Sequence, residues 1–162
     1  MLNRLTPSIA ALALIMSMPA AAQVSVEDLV PTYGSHDLAS GFEPDPFTVK
    51  VVAGGDVDAS EYLSSCSGFV ARTPDVRINY TAGSQYPLII GAISESDTTL
   101  VVIPPEQTMN CDDDSWGDGD PIMTFKRPQS GIYLIWVGAS AQGESAAAVV
   151  VVSESTRIIN PE

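Results

Sequence analysis

The chain has 162 residues, with 20 aspartates and glutamates against seven lysines and arginines and a net charge of −13. That surplus of acid repels phosphate backbones and anionic headgroups, which excludes nucleic acid as a partner and disfavours anionic membrane surfaces. The length fits one domain with a core of its own, and two cysteines with a single histidine are too few for a closed tetrahedral zinc site.

Taken in order, residues 1–22 carry Arg4, an apolar run from Ala10 to Met16, and Pro19-Ala20-Ala21-Ala22 before Gln23. This succession of charge, apolar stretch and small-residue site reads as a cleaved secretory signal peptide, because the run is shorter than the ~20 residues that span a bilayer. No membrane insertion is expected after cleavage, and the expected location is periplasmic or secreted. Residues 23–46 are punctuated by proline and glycine and read as an irregular lead-in, with Phe42 tucked onto the body and His36 solvated.

From there to residue 153 the pattern is that of short strands. Phe47-Thr48-Val49-Lys50-Val51 alternates apolar and polar and stops at Gly54-Gly55-Asp56; residues 58–63 allow a single helical turn. Cys66 to Ala71 is strand-like, and Thr73-Pro74-Asp75 turns the chain. Val76 to Thr81 places Val76, Ile78 and Tyr80 towards the core. Pro87 to Ile93 and Thr98 to Ile103 are nearly continuous apolar, β-branched runs. Ile122 to Phe125, Ile132 to Val137 and Ala146 to Val152 follow, with turns at Pro128 to Gly131 and Gly138 to Gly143. About eight strands at this spacing predict an all-β fold, an antiparallel jelly-roll-like sandwich over residues 47–153, with a polar tail at 154–162.

Cys66 and Cys111 behind a signal peptide argue for one disulfide, with two free thiols as the alternative. Closing a loop of about 45 residues stabilises by at most about 4 kcal/mol in the chain-entropy picture.

The stretch from Asn110 to Pro121 gathers five aspartates, Cys111 and Trp116 among glycines, a composition that argues against any regular helix or strand. Two readings stand. In one, Asp112, Asp114, Asp118 and Asp120, with Asn110 and backbone carbonyls, supply the six to eight oxygens of a calcium ion, and Asp97 completes the site. In the other, some aspartates hydrogen-bond their own turn, the rest stay solvated, and Asp97 caps backbone donors. Asp112-x-Asp114 matches the opening of an EF-hand loop, but the twelfth position is Met123 where that loop needs a bidentate glutamate. Trp116 either faces solvent as a binding platform or folds over the disulfide, whereas Trp136, between Ile135 and Val137, belongs to the packing.

Catalysis finds little support. Gly138-Ala139-Ser140-Ala141-Gln142-Gly143 lacks the Gly-x-Ser-x-Gly spacing, and His36 is the one histidine available as a base.

The strings Asp97 to Val102, Cys111 to Asp114, Pro121 to Phe125 and Pro128 to Gly138 together resemble the bacterial pre-peptidase C-terminal domain, a β-sandwich found appended to secreted proteases and also alone. The resemblance covers residues 88–152 and implies a jelly-roll-like sandwich with a non-catalytic accessory or binding role; some relatives bind calcium or collagen. The sequence therefore leads to a secreted or periplasmic accessory protein, possible calcium assistance, and a cell-surface polysaccharide or protein as partner. A structural envelope or inhibitor-like protein without metal is the second expectation, and a small secreted hydrolase the third.

Overall fold

The structure is a computed structural model and describes residues 28–158. The expected signal peptide, residues 23–27 of the lead-in and residues 159–162 of the tail lie outside the described residues. Among the described residues eleven strands form two sheets in face-to-face packing, the sandwich that the alternation demands.

The larger sheet is centred on β10 (Gly131–Ala139). On one side it pairs with β7 (Thr98–Ile103), which pairs in turn with β8 (Asn110–Asp112). On the other side the first half of β10 pairs with β5 (Val76–Thr81), while its far end meets β4 (Phe69–Val70), itself paired with β3 (Val57–Asp58). β1 (Ser35–Ala39) lies parallel to β5 at the edge. The smaller sheet runs β2 (Phe47–Gly54), β11 (Ser145–Ser153), β6 (Leu88–Ser94), β9 (Ile122–Phe125).

Between the sheets Val76, Ile78 and Tyr80 meet Leu88, Ile90 and Ala92, Leu100 and Val102, Tyr133, Ile135 and Val137, and Ala148, Val150 and Val152 of β11. The alternate residues of β7 and β10 are also buried, because Val101, Leu134 and Trp136 form a second apolar cluster with Val57, Ala59, Cys66 and Val70 on the outer face of the larger sheet. That cover explains why both strands are apolar on both faces, a pattern otherwise typical of strands enclosed by two layers.

Four details depart from the sequence reading. The lead-in contains β1, whose Asp37 accepts a hydrogen bond from Asn79 Nδ2 at 2.8 Å, so a polar side-chain pair supports a strand that has little apolar pattern. His36 accordingly sits half-buried with its ring centroid 5.1 Å from that of Phe47. Only Phe69–Val70 of the Cys66 to Ala71 segment is strand, since Cys66 closes a turn by donating its N–H to Leu63 O at 2.8 Å. Finally, Asn110–Asp112 is strand despite its composition, because it completes a ladder against Val102, Val101 and Leu100.

Polar groups bind the ends of the sandwich. Buried Glu154 accepts hydrogen bonds from Gly41 N at 2.6 Å and from the Tyr80 hydroxyl, joining the lead-in to the end of β11. Burial first, and then that hydrogen bond to Glu154, push the Tyr80 pKa up. Asp75 is 3% exposed and receives Val137 N–H at 2.7 Å. Its carboxyl fills the gap along β10 where β5 has ended and β4 has not yet begun, so a side chain stands in for the missing rung.

Candidate functional site

The acidic stretch is a crossover that leaves the larger sheet at Asp112 and enters the smaller one at Ile122. Asp112 Oδ2 accepts from Ser115 N at 3.0 Å and Ile122 N at 2.8 Å, and its Oδ1 from the Ser115 hydroxyl. Asp114 Oδ1 accepts from Gly119 N, and Asp120 Oδ1 from Ser94 N, each at 3.0 Å. Asp113 Oδ2 receives the Ser67 hydroxyl at 2.6 Å. The tip is a tight turn in which Asp118 and Gly119 both have positive φ, 59° and 80°, as a type I′ arrangement requires. The Asp-Gly pair is the sequence signal for that turn.

Asp97 lies against Gly119, where an added Cβ would stand 3.1 Å from its Oδ1, and the following Thr98 N donates to Gly119 O at 3.1 Å. Asn110 Nδ2 donates to Thr108 O at 2.7 Å. Asp97 thus faces the crossover, whereas Asp112, Asp114 and Asp120 hold separate backbone donors. Among the described residues no three His, Cys, Asp or Glu side chains come together as a metal-holding group.

Trp116 is neither a free platform nor a lid on the disulfide. It packs on Gly91, at the outer face of the smaller sheet, and its indole N–H donates to Ile158 O at 3.2 Å. Cys66 and Cys111 are bonded, with their Cα atoms 5.4 Å apart, and belong to the cluster on the outer face of the larger sheet. Tryptophan and disulfide therefore occupy opposite faces, because the crossover passes from one sheet to the other between them.

A small apolar concavity lies on the disulfide's side and was not anticipated from the sequence. Its floor is Val101 and Ile103 of β7 with Trp136 of β10. Ala59 and Tyr62, with Val70 of β4, form one wall; Met109, just before β8, forms the other. Leu29 and Arg72 stand at the rim, and the pocket volume is about 230 Å³.

Local chemistry builds these walls. Asp58 caps the 3-10 turn Ala59–Glu61 by accepting Ser60 N at 2.9 Å and the Ser60 hydroxyl at 2.6 Å, and these contacts, the hydroxyl first, lower its pKa. Ala59 N donates to Gly68 O and Leu63 N to Ala59 O, which folds the excursion back on itself. The disulfide then joins the segment carrying Ala59 and Tyr62 to the strand that follows Met109, so the two walls are covalently cross-linked. Tyr62 is 67% exposed although it lines the pocket, and Leu63 beside it is 36% exposed, leaving apolar surface at the mouth. The signal that would have found the pocket is the outward phase of β7 and β10, where Val101 and Trp136 need a cover.

Ser140 and His36 are not brought together. His36 aligns through Ile78 with Tyr133, seven residues from Ser140 along β10, or roughly 24 Å at strand rise. That is far beyond hydrogen-bond reach.

No family model matches the chain, and no curated protein does. Among solved structures, PliG of Aeromonas hydrophila, a periplasmic lysozyme inhibitor of g-type lysozyme, is similar at 17% identity and a TM-score of 0.42, over 74% of this chain and 96% of that one. CorA, a surface-associated copper-binding protein important in copper acquisition by Methylomicrobium album BG8, is similar at 13% identity and a TM-score of 0.45, over 78% of this chain and all of the other.

Proposed function

We propose that this chain is a non-catalytic, extracytoplasmic binding protein that takes an apolar anchor of a protein partner into the pocket over Trp136. The observation that carries the reading is the pocket itself: an apolar floor, two walls held by one disulfide, and exposed Tyr62 in its lining. Small apolar pockets with an aromatic base and an aromatic rim are where interfaces concentrate their binding energy. A disulfide of this kind persists in oxidising compartments, which supports an extracytoplasmic location. The resemblance to pre-peptidase C-terminal domains supports the same non-catalytic role.

A photo-crosslinking side chain, benzoylphenylalanine, placed at Tyr62 in the source organism tests this. A single protein adduct is expected from position 62, none from exposed Ser140, which does not line the pocket, and loss of the adduct in a Met109→Lys background. No adduct at 62, or equal labelling from both positions, overturns the reading.

A further inference from the structure

We infer that the pocket recognises the C-terminal residue of its partner, with an apolar side chain seated against Trp136 and Val101 and the free α-carboxylate paired with Arg72. The inference rests on the proposed function and names the chemistry of the anchor. A volume of about 230 Å³ falls below the range of small-molecule sites and suits one large apolar side chain. Arg72 is the sole charged side chain lining the pocket, and it has no hydrogen-bond or ion-pair partner among the described residues.

The chain has seven cations against 20 acids, so the placement of one cation at this rim matters. Over most of this surface an anion is repelled; at the pocket rim Arg72 offers one guanidinium to pair with it. A guanidinium presents a planar fork that matches a carboxylate with two parallel hydrogen bonds. The guest must therefore combine one apolar side chain with one carboxylate a few ångströms away. A single internal aspartate or glutamate cannot meet both demands, because its acid is on the one side chain it has to place. A C-terminal leucine, isoleucine or phenylalanine satisfies both demands, since its carboxylate is attached to the same Cα as its side chain.

Calorimetric titration of the intact protein with acetyl-Ala-Ala-Ala-Leu bearing a free carboxylate, with its C-terminal amide, and with N-acetyl-leucine tests the assignment, while the Trp136 indole resonance reports occupancy. The free acid is expected to bind at least about 10-fold more tightly than the amide, and Arg72→Gln to weaken the acid about 10-fold while leaving the amide unchanged, as loss of a charged hydrogen-bonded pair predicts. Arg72 is exposed, so the variant is expected to fold. Equal binding of acid and amide overturns the carboxylate assignment and leaves the Tyr62 adduct, and with it the proposed function, standing. N-acetyl-leucine binding as tightly as the peptide overturns a partner chain in favour of a free small carboxylate. No movement of the Trp136 resonance with any probe overturns the inference, and the crosslink at Tyr62 then decides separately whether the pocket engages a protein at all.

Discussion

Asp75 makes the stability of this sandwich depend on pH in an unusual direction. Burial pushes its pKa up to about 7, against the opposing pull of the Val137 N–H. A group whose folded pKa is raised above its unfolded value binds more protons when folded, so its contribution is fully present below about pH 4 and is lost as pH rises through about 7. Three pH units at about 1.4 kcal/mol each give a ceiling of about 4 kcal/mol, a large share of the 5–15 kcal/mol typical of a domain. Asp75→Asn keeps an oxygen for Val137 N–H and removes the titration. Urea unfolding from pH 4 to 8 is expected to show the two proteins close together at pH 4 and the D75N variant the more stable at pH 8. Self-repulsion of the acidic chain lowers both curves as pH rises and cancels in their difference. Parallel curves across the range would refute the reasoning.

Trp116 and Gly91 are expected to behave as one unit. An added Cβ at Gly91 would stand 2.8 Å from Trp116 Cζ3, so Gly91→Ala should cost about 1–3 kcal/mol by overpacking, and Trp116→Ala about 2 kcal/mol from lost packing; the double variant should cost clearly less than the sum in denaturant melts. Calcium separates the two readings of the crossover. Because Asp112, Asp114 and Asp120 each already hold a backbone N–H, millimolar calcium is expected to raise Tm by less than about 1 °C over chelator. A rise of several degrees that Asp112→Asn abolishes would show that the turn reorganises around the ion.

How much of this could be read from the sequence depends on the range of the interaction. Val76, Ile78 and Tyr80 announce their face through strict alternation, as β2 does, while β6, β7, β10 and β11 show instead as short apolar runs rich in β-branched residues or alanine. The disulfide was legible for a different reason, since two cysteines behind an expected signal peptide leave one possible pairing. Short or polar elements were not legible, because what stabilises them is a partner elsewhere in the chain. β1 depends on a parallel register with β5, and β8 on the ladder offered by β7. Asp75 looks like the last residue of a Pro-containing turn until the gap between β5 and β4 shows a backbone donor that it must satisfy.

The aspartates of the crossover answer to more than one demand. Five acids within a few residues suggest one centre that something must neutralise, yet a turn of this kind also exposes backbone N–H groups that need acceptors. Asp112 meets two of these donors, and Asp114 and Asp120 one each, so each of these side chains serves a backbone group of its own. The pocket over Trp136 has the converse history. Leu29, Ala59, Met109 and Trp136 are scattered over the chain and carry no motif, and they converge because the outward faces of β7 and β10 had to be covered. The cover leaves a pocket above Val101 and Trp136, which are themselves 3% and 7% exposed, and Tyr62 and Arg72 stand beside it as its exposed lining.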